Sequence, residues 1–449
     1  MTAYRAWTSL VGVLCLTGTA MAQTNYLEAN DPYGVRLTKL DYSSQPSPAY
    51  SYNAGAPSQP TVANASVRAP DSAAAPQSAP ATASNNAYDN ALNNSGWGGD
   101  CNECNIPFCC CNDTHWFAYA GGLVMGRSTA NHFYTTFDQT NPANQVQYFP
   151  GADWGGGVDT RIGYWFGCGS CGNPSSCCNS CGPSGRFGVE ADYWGVWGMN
   201  NSASITDASV GLNQLGTVQN DGFVGFLAPD DASAWFDNAH AVVLRRSDDV
   251  NNVEVNFLYM PCCDTCNRFQ MTALAGIRYF RFTDNLEWDQ FAGTGLPAGE
   301  PNEAIVNDNI TNNLIGFQIG AYLNYQICNR VGVFAIPKIG IFGNHITGFN
   351  SMALSDGTQA TFDNNGDALN FHNSANVFSM LGSIDVGVNW AFSNNWSFIG
   401  GYRVVMVSGV ALADNQIPQF FADEAGWKTI KSNGDLIMDG AFAGIQARF

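Results

Sequence analysis

From residue 116 to the last residue, the chain repeats one pattern: segments of strand length in which apolar side chains alternate with polar or small ones. Leu436 to Phe449 shows it. Ala441, Ala443, Ile445, Ala447 and Phe449 share one face, while Gly440, Phe442, Gly444, Gln446 and Arg448 share the other. A period of two marks a strand whose two sides meet different surroundings. Nine earlier segments follow the same rule: Trp116–Met125, Val158–Phe166, Phe187–Trp197, Val253–Tyr259, Met271–Phe280, Leu314–Ile327, Val331–Phe342, Phe378–Phe392 and Trp396–Val407. The sixth is the clearest, with Ile315, Phe317, Ile319, Ala321, Leu323 and Tyr325 opposed to Gly316, Gln318, Gly320, Tyr322 and Asn324. Ten strands are expected, and a pair within Asn200–Asp249 would make twelve.

The connections alternate as well. Those after the second, fourth, sixth and eighth segments are Cys168–Ser184, Pro261–Arg268, Cys328–Arg330 and Ser393–Asn395, and those after the odd segments are longer. Short turns on one rim and long loops on the other belong to outer-membrane barrels. A soluble antiparallel sandwich would also alternate, but it has no reason for that asymmetry. No run approaches the roughly 18 apolar residues of a membrane helix, so a membrane could be crossed only by strands. An exposed terminal strand would invite aggregation, and closing a barrel removes the edge. The expected fold is an all-β, antiparallel transmembrane β-barrel of about 10–12 strands.

Composition divides the rest of the chain. Residues 1–22 read as a cleaved secretory signal, with Arg5, the apolar run Leu10–Leu16, and Ala20-Met21-Ala22 ahead of Gln23. Residues 23–100, rich in Ala, Pro, Ser and Asn, have too few apolar side chains to offset the entropy of ordering, and are expected to be a disordered linker. Residues 101–114 form a cysteine-rich segment, and 115–449 the barrel. With 18 Lys and Arg against 37 Asp and Glu, the net charge is −19, which argues against a nucleic-acid partner.

Of the 15 cysteines, Cys15 falls in the signal. Cys101, Cys104, Cys109, Cys110 and Cys111 precede the first strand, and Cys168, Cys171, Cys177, Cys178, Cys181, Cys262, Cys263, Cys266 and Cys328 sit at short turns. All are thus expected on one periplasmic rim. Cys168-x-x-Cys171 and Cys178-x-x-Cys181 have the spacing of a zinc site, but an exported chain with an even cysteine count favours disulfides. The expectation is disulfides and no metal, with neighbouring copies or the cell wall as the partners such thiols could reach.

The face opposite the apolar one carries Asp159, Glu190, Asp192, Glu254 and Asp385 together with Arg161, Arg278, Lys338, Arg403 and Arg448. Five acids and five bases in the lumen could form a selectivity ring, or ion pairs filling a narrow interior. Inward glycines argue for an opening; Trp165, Trp194 and Tyr322 on the same side argue for a filling. The acids Asp230, Asp231, Asp248, Asp249, Asp284–Asp289, Asp423 and Glu424 are expected in solvated long loops. Asp237-Asn238-Ala239-His240 and Asp363-Asn364-Asn365-Gly366-Asp367 are too weak to indicate a catalytic pair or a calcium loop.

Ala273–Thr283, with its Gly276-Ile277-Arg278-Tyr279, then Asn312–Gly320, then Gly400-Gly401-Tyr402-Arg403 and the final Phe449 occur in an order that resembles the β-barrel porin family abundant among planctomycete outer-membrane proteins. The resemblance covers about 116–449. It implies an outer-membrane location, outer-membrane lipid as surroundings, and Phe449 as the terminus read by the barrel-assembly machinery. The expected function is porin-like passage of small solutes; the alternative is a structural cell-envelope protein cross-linked through its cysteine-rich rim. No enzymatic activity and no cofactor are expected.

Overall fold

In a computed structural model, the described residues are 116–128, 134–138, 141–147, 154–166, 186–206, 215–217, 239–261, 268–292, 302–362, 366–418 and 420–449. The expected signal, linker and cysteine-rich segment lie outside them, as do all of the cysteines except Cys328. The strands are β1 (Trp116–Arg127), β2 (Tyr134–Asp138), β3 (Asn141–Gln147), β4 (Trp154–Trp165), β5 (Arg186–Thr206), β6 (Leu215–Thr217), β7 (Ala239–Met260), β8 (Phe269–Ala292), β9 (Glu303–Cys328), β10 (Val331–Leu354), β11 (Asn370–Ala391), β12 (Trp396–Val410) and β13 (Gly434–Arg448). Two one-turn helices, α1 (Ala413–Gln416) and α2 (Glu424–Trp427), interrupt the β12–β13 connection.

Ten of these strands close a ring in the order β5-β4-β1-β13-β12-β11-β10-β9-β8-β7, with β7 returning to β5. Every pairing is antiparallel. The first and last strands form the seam, and the Trp116 and Phe449 backbones exchange hydrogen bonds of 2.9 and 3.0 Å. Asn200–Thr206 and Ala239–Asp249 continue β5 and β7 rather than adding a pair to the ring. β2, β3 and β6 pair among themselves and with β7 beyond it.

The strands are longer than their apolar segments suggest. β9 has 26 residues, whereas about 9–11 suffice to cross a bilayer. The registers explain the excess. One outward row runs Tyr193, Val253, Tyr279, Ile315, Gly343 and Phe378 across β5, β7, β8, β9, β10 and β11. From that row towards the short turns, outward residues are apolar and exposed, as with Ile315, Phe317, Ile319, Val255, Ile277 and Val386. The next row, two residues towards the long loops, is Asn251, Arg281, Asn313, His345 and Asn376. An apolar belt that ends in tyrosine and gives way to amides is a bilayer edge.

Beyond the edge the hydrophobic face changes sides. Val242, Leu244, Leu286, Trp288, Val306, Ile310, Ile346 and Met352 are inward-facing and buried. Each long strand is therefore a membrane strand at one end and a soluble-barrel strand at the other. The sequence segments stop where this swap occurs, because the alternation there loses the outward apolar phase on which they rest.

Ile319→Arg, near the middle of the belt, should destabilise the barrel by about 2–4 kcal/mol. Ser374→Arg, outward and exposed beyond the edge, should stay within about 0.5 kcal/mol. Denaturant unfolding of the vesicle-reconstituted protein checks both.

Candidate functional site

The candidate site is the barrel interior, where nine of the ten charges on the inward face are brought together. Arg403 on β12 holds Asp385 on β11 through two bonds of 2.8 Å and reaches Asp159 on β4 at 3.0 Å. Lys338 on β10 lies 2.7 Å from Glu254 on β7 and 3.7 Å from Asp192 on β5. Arg278 on β8 approaches Glu254 at 3.5 Å, and Arg161 on β4 approaches Asp192 at 3.3 Å and Glu190 at 3.6 Å. Arg448 stands apart, at the short-turn end.

Neutral groups complete this layer. Tyr322 donates to both oxygens of Glu190 at 2.7 and 2.8 Å, and Gln318 donates to Glu254 at 2.7 Å. Asn252 accepts from Arg278 at 2.6 Å. Arg403 also lies over Trp194 and Phe442, at 5.1 and 5.4 Å from the ring centroids. Buried charges persist only when paired and hydrogen-bonded, and eight of the ten strands supply charged or hydrogen-bonding partners here. The inward glycines do not open the lumen. A Cβ on Gly163 would sit 2.1 Å from the Phe117 ring, and one on Gly121 would sit 2.4 Å from the Tyr119 hydroxyl. At Gly163 the space a side chain would have filled is taken by an aromatic ring of the neighbouring strand, and at Gly121 by the ring of Tyr119 on its own strand.

Above the ionic layer lies an apolar one that includes Leu123, Met125, Phe280, Phe282, Val405 and Met438. Beyond the bilayer edge comes a second charged group. Arg127 binds Asp248 at 2.9 Å and Asp284 at 3.2 Å, while Arg246 binds Asp284 at 2.9 Å and Asp414 of α1 at 3.3 Å. Asp248 and Asp284 were expected in solvated loops; they are buried inside β7 and β8, because those strands run on past the membrane. Asp249 is on β7 too, facing outward, and Asp423 caps α2 by accepting from the Gly426 amide at 2.9 Å.

The β12–β13 connection closes the long-loop end. Ala411 and Asn312 exchange hydrogen bonds of 2.8 and 2.9 Å, and the Ala413 amide donates to Asp284 at 3.0 Å. Ile417, Phe421 and Trp427 then join the inward apolar residues of β7–β10, with Phe421 edge-on to Trp288 at 5.9 Å. No alternation marks this segment in the sequence, so nothing there pointed to a plug.

The remaining expected features are placed as follows. Cys328 ends β9 beside the two-residue turn Asn329–Arg330. Phe449 is exposed on the outward face. Asp237 is outside the described residues, whereas His240 lies on β7. Among the described residues no group of His, Cys, Asp or Glu could hold a metal ion, and no helix is long and apolar enough to cross a membrane.

Removing one partner from a buried network strands the others. Arg403→Met should cost about 3–5 kcal/mol, and adding Asp159→Asn and Asp385→Asn should recover most of it, as read by denaturant unfolding. The outer charged group makes a second prediction. Burial, then Asp284, pushes Asp248 up to about 8 against the pull of Arg127 and Arg246. Burial likewise raises Asp308 and Asp414. Burial would raise Asp284 too, but Arg246 and Arg127 hold it below the carboxylate range. The raised groups bind protons more tightly folded than unfolded. Stability should therefore increase as pH falls from about 8 towards about 4, with Asp284 opposing only below that. The melting temperature in detergent should be higher at pH 5.5 than at pH 8.5, and Asp248→Asn should shrink the difference.

Solved outer-membrane proteins share only a weak likeness with the chain. The Escherichia coli outer membrane protease OmpT is 9% identical, with 75% of this chain and 97% of that one covered and a TM-score of 0.34. A major outer membrane protein from Thermus thermophilus is 11% identical over 74% and 99%, at 0.24. The Pseudomonas putida toluene transporter TodX is 7% identical over 75% and 90%, at 0.26. Likeness this weak says nothing about activity. No curated protein matches the chain. Residues 236–429 match the family described as "Putative beta barrel porin-7 (BBP7)". That range contains the three motifs quoted above, and says nothing of the source organism. Residues 236–429, which lie within a ten-stranded ring, are thus similar to a β-barrel porin family.

Proposed function

We propose that this barrel is closed at rest and serves the envelope structurally, anchored in outer-membrane lipid. It would be held to neighbouring copies or to the cell wall through its cysteine-bearing periplasmic rim. The observation that carries this reading is the filled interior: an ion-paired layer, an apolar layer and the β12–β13 plug occur in series. The sequence expectation of porin-like solute passage becomes the second reading. It is supported by the family matched by 236–429 and by a cavity of about 190 Å³ at the short-turn end, bordered by Arg161, Glu190, Tyr322 and Arg448. Neither reading includes a catalytic step. Export by a cleaved signal and insertion by the barrel-assembly machinery, with Phe449 as the recognised end, belong to both.

Conductance of the purified protein across a planar lipid bilayer separates them. The structural reading expects a folded, silent barrel and, on a non-reducing gel, species larger than the monomer that collapse with reductant. Discrete, repeatable current steps from the unmodified protein would instead establish solute passage.

A further inference from the structure

Outside the barrel, above the bilayer edge, lies a surface that neither reading uses. The third row beyond the edge is Asn200, Ser247, Asn285, Asn309, Phe349 and His372, one outward residue from each of β5, β7, β8, β9, β10 and β11. Adjacent strands are about 4.8 Å apart, so the row spans roughly 24 Å. Five of its members line an outward groove of about 610 Å³, together with Arg245, Glu287 and Asn307 of the next row.

Its chemistry is selective. Amides and hydroxyls offer donors and acceptors together, and Phe349, tilted against His372 at 4.7 Å between ring centroids, offers an apolar ring face. Asn285 donates to Ser247 at 3.2 Å, yet its Oδ1 has no partner in the protein. Both arginines that border the groove are already paired with carboxylates, Arg245 with Glu287 at 2.6 Å and with Asp289, and Arg246 with Asp284 at 2.9 Å. A phosphate would require available cations, and none is offered in this row. Soluble surfaces usually carry many Lys and Glu, whereas the second row is Asp249, Thr283, Thr311, Thr347 and Ser374.

Height selects the source. Three two-residue steps along strands tilted by about 40° raise the row roughly 15 Å above the apolar belt. Phospholipid headgroups extend only about 5–8 Å beyond the hydrocarbon. We propose that this groove binds the uncharged saccharide chain of an outer-leaflet glycolipid, with the amide row hydrogen-bonding ring hydroxyls and Phe349 stacking on a sugar face.

The test uses the full-length protein in nanodiscs and neutral oligosaccharides of glucose, galactose and mannose, each presented free in solution and attached to a lipid in the disc. Saturation-transfer NMR reads the free sugars, and a fluorescence titration reads the lipid-linked ones. The expected result is saturable binding at least tenfold tighter for a lipid-linked sugar than for its free form, since tethering raises the effective concentration. Phe349→Ala with Asn309→Ala should weaken it at least tenfold, with folding checked by the gel shift of the heated and unheated barrel. Absence of saturable binding in both forms overturns the proposal, as does unchanged binding by the folded double variant. Binding of free and lipid-linked sugar with equal affinity would overturn the glycolipid source.

Discussion

The structure depends on one requirement: in hydrocarbon, every backbone amide and carbonyl must find its partner within the protein. A ring of ten antiparallel strands meets it, with β13 paired to β1 and β7 paired to both β5 and β8. Once closed, the ring assigns each residue an inside or an outside by parity alone. Side chains are then sorted by what each side meets. Lipid selects Phe317, at 69% exposure, and a sealed interior accepts Arg278, at 1%, only with Glu254 and Asn252 beside it.

That sorting changes along each strand because the surroundings change. On β9, Ile315 and Phe317 face outward, and a few residues away Ile310 and Val306 face inward. The backbone continues without a break while the apolar phase shifts by one residue. In the membrane section, interior cohesion comes from charge pairs and aromatic rings wedged over glycines. In the outer section it comes from ordinary hydrophobic packing, to which the β12–β13 segment contributes Phe421 and Trp427.

This explains what could be read from the sequence. Strand number and the inward positions of Asp159, Glu254 and Arg403 follow from parity, which is local. Strand length does not, since Val242 and Leu244 break phase with Val253 and Val255 and so look like loop. Nor does the pairing of Arg246 with Asp414, 168 residues apart: it needs the register of four strands and the inward turn of a segment without periodicity. The glycines misled in a different way. A missing side chain on one strand looks like space until a nearby ring is placed in it.

The plug belongs to the connection between the last two strands, yet its partners lie on β7, β8 and β9. The Asn312–Ala411 and Arg246–Asp414 contacts close loops of 99 and 168 residues, and contacts so distant in sequence come late in folding because their entropy must be met first. Without the plug, Trp288 and Ile310 would meet water at the outer end of the barrel. The hydrophobic cost of wetting them favours the docked segment, so the connection between two strands, and not a strand, completes the outer seal.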